Sequence, residues 1–165
     1  MGAMSDARIG TPSAPWLTER QQQLVRESYA HLEPVADAAA SIFYFRLFDL
    51  DPSVRALFAA DMTAQRRNLM QTLGTIVRGI DRLDLLGPSV AALGRRHAGY
   101  GVRAKDYETV EVALLDGLEE TLGSIFDAET RAAWAAAYRY LSATMQGSAG
   151  DIAGGAPAHA PRAGP

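Results

Sequence analysis

The residues best placed to do chemistry lie in the run Leu93-Gly94-Arg95-Arg96-His97-Ala98-Gly99-Tyr100-Gly101-Val102. His97 has Leu93 one helical turn before it, and Val102 follows at the next corner. A histidine placed this way can turn one ring nitrogen into an apolar pocket. A flat iron porphyrin needs that arrangement: one neutral imidazole as ligand, with apolar walls around it. A lone histidine near a helix end also serves as a surface residue or as a partner for the C-terminal dipole, so the run alone leaves both readings open. Two other polar residues stand in apolar company. Tyr44 sits among Ile42, Phe43, Phe45, Leu47 and Phe48, where it could equally be core with its hydroxyl satisfied locally. Gln65 heads a stripe with Leu69, Thr72 and Ile76 at helical spacing.

The elements that must position these groups read as helices. Thr18-Glu19-Arg20-Gln21 is a capping box that opens the first, whose modest apolar face carries Leu24, Tyr29, Leu32 and His31. His31 reads as a surface or partly packed residue. Val35 to Leu50 reads as the second helix, bounded by Pro34. Asp51-Pro52 caps a short helix ending in Leu57-Phe58. Asp61 caps a helix from Met62 to about Ile80, with Leu73 and Val77 widening its stripe. Gly87-Pro88-Ser89 is expected to be a turn opening a short helix that carries His97, and Gly99 and Gly101 end that helix. Asp106 is expected to cap the next, which runs through Tyr107, Val110, Leu114, Leu118 and Leu122 to a stop at Gly123. Asp127 caps the last, with Trp134, Tyr138, Leu141 and Met145 on one face. No segment alternates with period two, so the chain is expected to be all-α, with roughly six to eight helices. Residues 1–16 read as a disordered leader, 17–146 as one domain, and 147–165 as a disordered Gly/Ala/Pro-rich tail that includes His159.

Composition narrows the chemistry. The 165 residues carry a net charge of −3 and no cysteine. Mild acidity argues against nucleic acid as a partner, where a basic stripe is expected. Without cysteine there are no disulfides, no thiolate metal site and no covalent haem attachment, so a haem would be held non-covalently. No apolar run approaches the ~20 residues that span a bilayer, and the start lacks the basic-then-apolar pattern of a secretory signal. The expected compartment is the cytoplasm, with no membrane partner. No Ser-His-Asp arrangement, Gly-rich phosphate loop or histidine pair for zinc is evident.

Taken in order, several motifs resemble those of the globins, specifically bacterial single-domain haemoglobins and the globin domain of flavohaemoglobins. Phe43-Tyr44-x-x-Leu47-Phe48 resembles their second-helix motif, and Asp51-Pro52-x-x-x-x-Leu57-Phe58 the corner ending in a phenylalanine wedged against haem. Gln65-x-x-x-Leu69 resembles the distal helix. Arg96-His97 to Val102, with Tyr107 and Val110, resembles the proximal side, and Ala133-Trp134 with Tyr138 the start of the last helix.

The resemblance implies a globin fold around haem b. It makes His97 the proximal iron ligand, Phe58 the residue packed on the porphyrin, and Tyr44 and Gln65 the polar groups of the distal pocket. Leu69 becomes the distal wall, while Leu93, Val102, Val110 and Leu114 line the remaining haem surface. Arg66, Arg67, Arg96 and Arg103, near the pocket edge, become partners for the propionates, or else remain solvated charges. In flavohaemoglobin-like proteins a glutamate of the last helix joins a tyrosine at the proximal histidine. Tyr107 matches the tyrosine, but alignment on Trp134 puts Ala149 at the glutamate, which implies a weaker proximal push. The implied function is reversible binding of oxygen and other diatomic gases, with nitric oxide dioxygenation through an external reductase as a further activity. The alternatives are a haem-based gas or redox sensor acting through a partner protein, and a globin-shaped fold without haem that acts by protein contacts.

Overall fold

The computed structural model describes residues 17–153; the expected leader, and the end of the expected tail with His159, lie outside the described residues. Six α-helices follow one another: α1 (Glu19–Leu32), α2 (Ala36–Leu50), α3 (Thr63–Arg78), α4 (Leu83–Gly99), α5 (Ala104–Leu122) and α6 (Ala128–Ala153). Short 3-10 turns cover Glu33–Val35, Pro52–Leu57, Ile80–Arg82 and Gly123–Ile125. The described residues contain no strand, as the periodicity predicts.

Local chemistry sets most of the boundaries. Thr18 Oγ1 accepts from the Gln21 backbone N–H, and the Gln21 side chain accepts from the Thr18 backbone N–H, which completes the capping box. Asp51 Oδ1 accepts from the Ser53 N–H, and Asp127 Oδ1 from the Thr130 N–H. The Ser53 hydroxyl, which also donates to Asp51, and then its N–H hold Asp51 below the usual aspartate range, and the Thr130 N–H does the same for Asp127. Gly101 closes the corner after α4 with φ +85°, a backbone conformation glycine adopts without a Cβ clash.

Five elements depart from the sequence reading. Met62, not Asp61, takes the cap position of α3, though Asp61 Oδ1 still accepts from the Thr63 N–H at 3.0 Å. Pro34 draws residues 33–35 into a 3-10 turn, so α2 starts at Ala36. Pro88 lies inside α4 rather than in a turn, so the helix with His97 is one 17-residue element from Leu83. Asp106 is the third residue of α5, not its cap. Arg103 takes the cap position, and its backbone N–H donates to Asp106 Oδ2 at 2.8 Å. Finally, α6 continues past Gly147 to Ala153, because the first residue that cannot donate a helical hydrogen bond comes only at Pro157.

Packing pairs α2 with α5 and α4 with α6, while α1 lies across α6 and α3. Phe43, Tyr44, Leu47, Leu114, Leu115, Leu118, Trp134 and Tyr138 belong to one buried cluster. Three buried hydrogen bonds tie its helices, one of them from the Tyr29 hydroxyl to the Met70 carbonyl. Trp134 Nε1 donates to Ser28 Oγ at 2.9 Å, and Tyr138 Oη donates to the Tyr107 carbonyl at 2.5 Å. Phe45, counted in the apolar set of α2, is 72% exposed, because helical periodicity turns it away from Phe43 and Leu47.

The α4–α6 crossing depends on Gly94. A Cβ there would stand 2.3 Å from the Met145 carbonyl oxygen and 2.6 Å from Met145 Cα, and a helix backbone cannot give way as a side-chain tip can. Gly94→Ala is therefore expected to cost about 2 kcal/mol, or roughly 4–8 °C in the thermal midpoint. A circular-dichroism melt unchanged from wild type would show that α4 and α6 separate freely.

Candidate functional site

His97 lies in the last turn of α4 and is half-buried. Its Nδ1 bonds the Leu93 carbonyl oxygen at 2.7 Å. A carbonyl only accepts, so Nδ1 carries the proton, and in the neutral ring Nε2 keeps the free lone pair. Leu93 thus sets both the tautomer and the direction of the ring. The Tyr107 ring, on α5, lies 6.4 Å from the imidazole, centroid to centroid. Burial pushes the Tyr107 phenol above its ordinary value, so it stays protonated.

A second group of side chains comes from α2, α3 and the corner between them. Tyr44 is 6% exposed and packs among rings, with centroids 4.8 Å from Phe43, 5.9 Å from Phe48 and 5.5 Å from Phe58. Burial is the larger effect on its hydroxyl and raises its pKa, while the hydrogen bond from Gln65 opposes the rise. That bond runs from Gln65 Nε2 to Tyr44 Oη at 3.1 Å. Tyr44 accepts in it, so the phenolic hydrogen is left to donate elsewhere. The helical stripe of α3 makes this meeting possible, since Gln65 stands at the exposed head of the face that carries Leu69, Leu73 and Ile76.

The structure brings Tyr44, Gln65 and Phe58 into one cluster, and it places His97, Leu93 and Tyr107 together on the α4–α5 side. Leu69, Leu93, Val102 and Val110 are half-buried and leave apolar surface open, while Leu114 is fully buried. Of the arginines, Arg96 is exposed and lines a surface depression with Ser89, Ala92 and Arg95. Arg66 instead pairs with Asp37 of α2 at 3.1 Å, and Arg103 with Asp106 at 3.3 Å. The sequence reading missed Arg55. Its guanidinium donates to the carbonyls of Phe58, Ala59 and Ala60 and stacks 5.2 Å over the Phe48 ring, so it fixes the corner that presents Phe58. The only sequence signal was an arginine three residues before that phenylalanine.

The chain thus carries an oriented imidazole on the α4–α5 side, a buried phenol with a hydrogen to donate on the α2–α3 side, and half-buried apolar side chains on α3, α4 and α5. The donor set fits a haem, which takes one neutral nitrogen and an apolar surround. The Globin family model matches residues 41–145. A flavohemoprotein of Vibrio cholerae is 26% identical over 131 residues, covering 76% of this chain and 33% of its own length. A neuroglobin of Dissostichus mawsoni is 27% identical over 143 residues, covering 78% of this chain and 90% of that protein. Among solved structures, an engineered carbene transferase named for a nitric oxide dioxygenase of Rhodothermus marinus superposes with a TM-score of 0.76 at 28% identity, covering 84% of this chain and 96% of its own. A bacterial globin from Campylobacter jejuni shares the fold, with a TM-score of 0.74 at 20% identity over 84% of this chain and all of its own. The chain belongs to the globin family, and membership implies haem binding. It spans about a third of the length of the Vibrio flavohemoprotein it matches. No helix among the described residues is long and apolar enough to cross a membrane.

Proposed function

We propose that this protein holds haem b without covalent bonds and binds oxygen reversibly, with nitric oxide dioxygenation driven by a separate reductase as a further activity. The observation that carries this reading is the direction of the Gln65–Tyr44 hydrogen bond. Haem, when bound, would supply a ferrous iron at which diatomic gases bind. The chain's own groups do the rest. His97 Nε2 would hold the iron, in a ring oriented by the Leu93 carbonyl. Tyr44 Oη offers its hydrogen to the ligand because Gln65 occupies an oxygen lone pair. Phe58, Leu69, Leu93, Val102, Val110 and Leu114 exclude water from the porphyrin faces, Tyr107 packs by His97, and Arg96 pairs with a propionate.

The partner of His97 Nδ1 is a neutral carbonyl, not a carboxylate. Such a partner makes the imidazole a modest donor, which favours holding oxygen over peroxidase-like chemistry. The side chain of Ala149, aligned with the flavohaemoglobin glutamate, lies outside those described. Absorption spectra of the full chain as ferric, dithionite-reduced and oxygenated samples test the proposal. A strong haem band, a five-coordinate deoxy form and a stable oxy form are expected. A six-coordinate deoxy spectrum would put an internal ligand on the iron and move the reading to a sensor or redox protein. Absence of a haem band after reconstitution would overturn it.

A further inference from the structure

The face of α3 turned toward α1 and the start of α2 lines a groove of about 400 Å³. Its walls include Tyr29, Asp37, Arg66, Arg67, Gln71 and Arg78. Arg66 and Arg67, which the resemblance offered as propionate partners, lie here, with none of the residues proposed above to hold haem. Three guanidiniums and one carboxylate line the wall, with the Glu33 carboxylate close enough to act on Tyr29, so the positive charges are in excess. Asp37 is taken by Arg66, while among the described residues Arg67 and Arg78 enter no ion pair. Surface arginines usually lie apart or find acidic partners, so this imbalance within one concave surface points to an anionic ligand.

The groove is also shaped for one. A Cβ on Gly74 would stand 2.7 Å from Tyr29 Oη and 3.1 Å from Arg78 Nη1. The missing side chain lets the Arg78 guanidinium fold back along the helix beside the Tyr29 hydroxyl. That hydroxyl is held in place by donating to the Met70 carbonyl at 3.3 Å. Arg67 and Gly74 are seven residues apart, about 10 Å along the helix axis. A chain of linked phosphates has the length to touch both arginines across that span. The planar guanidinium fork matches phosphate oxygens in pairs, and the Gln71 amide adds a neutral donor.

We propose that this groove binds an oligophosphate anion, either free polyphosphate or the phosphate chain of a nucleotide, clamped between Arg66–Arg67 and Arg78. The test is calorimetric titration of the haem-loaded full chain with pyrophosphate, tripolyphosphate, ATP and citrate at physiological salt. Saturable binding is expected, tighter for tripolyphosphate than for pyrophosphate, and weak for citrate. Arg67→Gln and Arg78→Gln are each expected to weaken it about tenfold, the loss of one charge-assisted hydrogen-bonding partner. Arg82→Gln, with the same change in net charge outside the groove, should leave it unchanged. ATP binding more tightly than tripolyphosphate identifies the ligand as a nucleotide, and equal binding identifies the phosphate chain itself. No saturable binding at millimolar tripolyphosphate would overturn the proposal. So would equal binding of citrate, or an Arg82→Gln effect as large as that of Arg67→Gln.

Discussion

His97→Ala is expected to leave a folded chain that no longer retains haem. The sequence has no cysteine, so no thioether bond can hold the porphyrin in place of the lost ligand. What remains is apolar contact with half-buried leucines and Phe58. Removing a group that merely orients a metal ligand costs about 10–100-fold in affinity, so removing the ligand itself should cost more than ~100-fold. The fold should survive, because His97 is half-exposed and, among the described residues, its side chain bonds only a carbonyl of its own helix. The measurement is the haem band that survives desalting of reconstituted protein, with far-ultraviolet circular dichroism as the control for folding. Millimolar imidazole should restore much of the band by filling the space of the lost ring. A normal haem spectrum in His97→Ala would sink the proximal assignment.

Features written in neighbouring residues were legible in the sequence. The Thr18 and Asp127 caps, the Pro52 turn and the stop at Gly101 depend on chemistry within three or four positions, and all appear where the residue types place them. Pro88 was misread for a physical reason. Gly87-Pro88-Ser89 has the composition of a turn, yet α4 lies along α6 over much of its length, and that packing outweighs one missing backbone hydrogen bond. Asp106 was misread because an acidic residue in the first helical turn looks the same in sequence at the cap and three places later. Site residues were legible by their types: a glutamine heading an apolar stripe, a tyrosine among phenylalanines, a histidine one turn after a leucine. Their partners were not, because Gln65 and Tyr44 are 21 residues apart and the donor direction between them exists only once α2 and α3 pack. The arginines show the same limit. Nothing near Arg66 in sequence says that it turns to Asp37 of α2.

Tyr44→Phe is expected to speed oxygen release about tenfold, since a hydrogen bond in a dry pocket contributes about 1.5 kcal/mol. The substitution keeps the ring among Phe43, Phe48 and Phe58 and removes only the hydroxyl, so the packing that excludes water persists. Gln65 acts through that hydroxyl. Its amide orients Tyr44 by occupying a lone pair, so Gln65→Leu should have a smaller effect alone and almost none in the Tyr44→Phe background. Additive effects would mean that each residue reaches the ligand separately. Acidity gives a further check. Burial disfavours the charged phenolate and raises the pKa of Tyr44, an effect only partly opposed by Gln65. The hydroxyl therefore keeps its proton below an ordinary tyrosine pKa of about 10 and loses it only above a still higher value. Oxygen release should then be flat with pH across the neutral range and accelerate only in strong alkali, where the donor disappears. Stopped-flow release rates measured from neutral to alkaline pH decide the matter: a Tyr44→Phe rate equal to wild type would show that the hydroxyl does not reach the ligand.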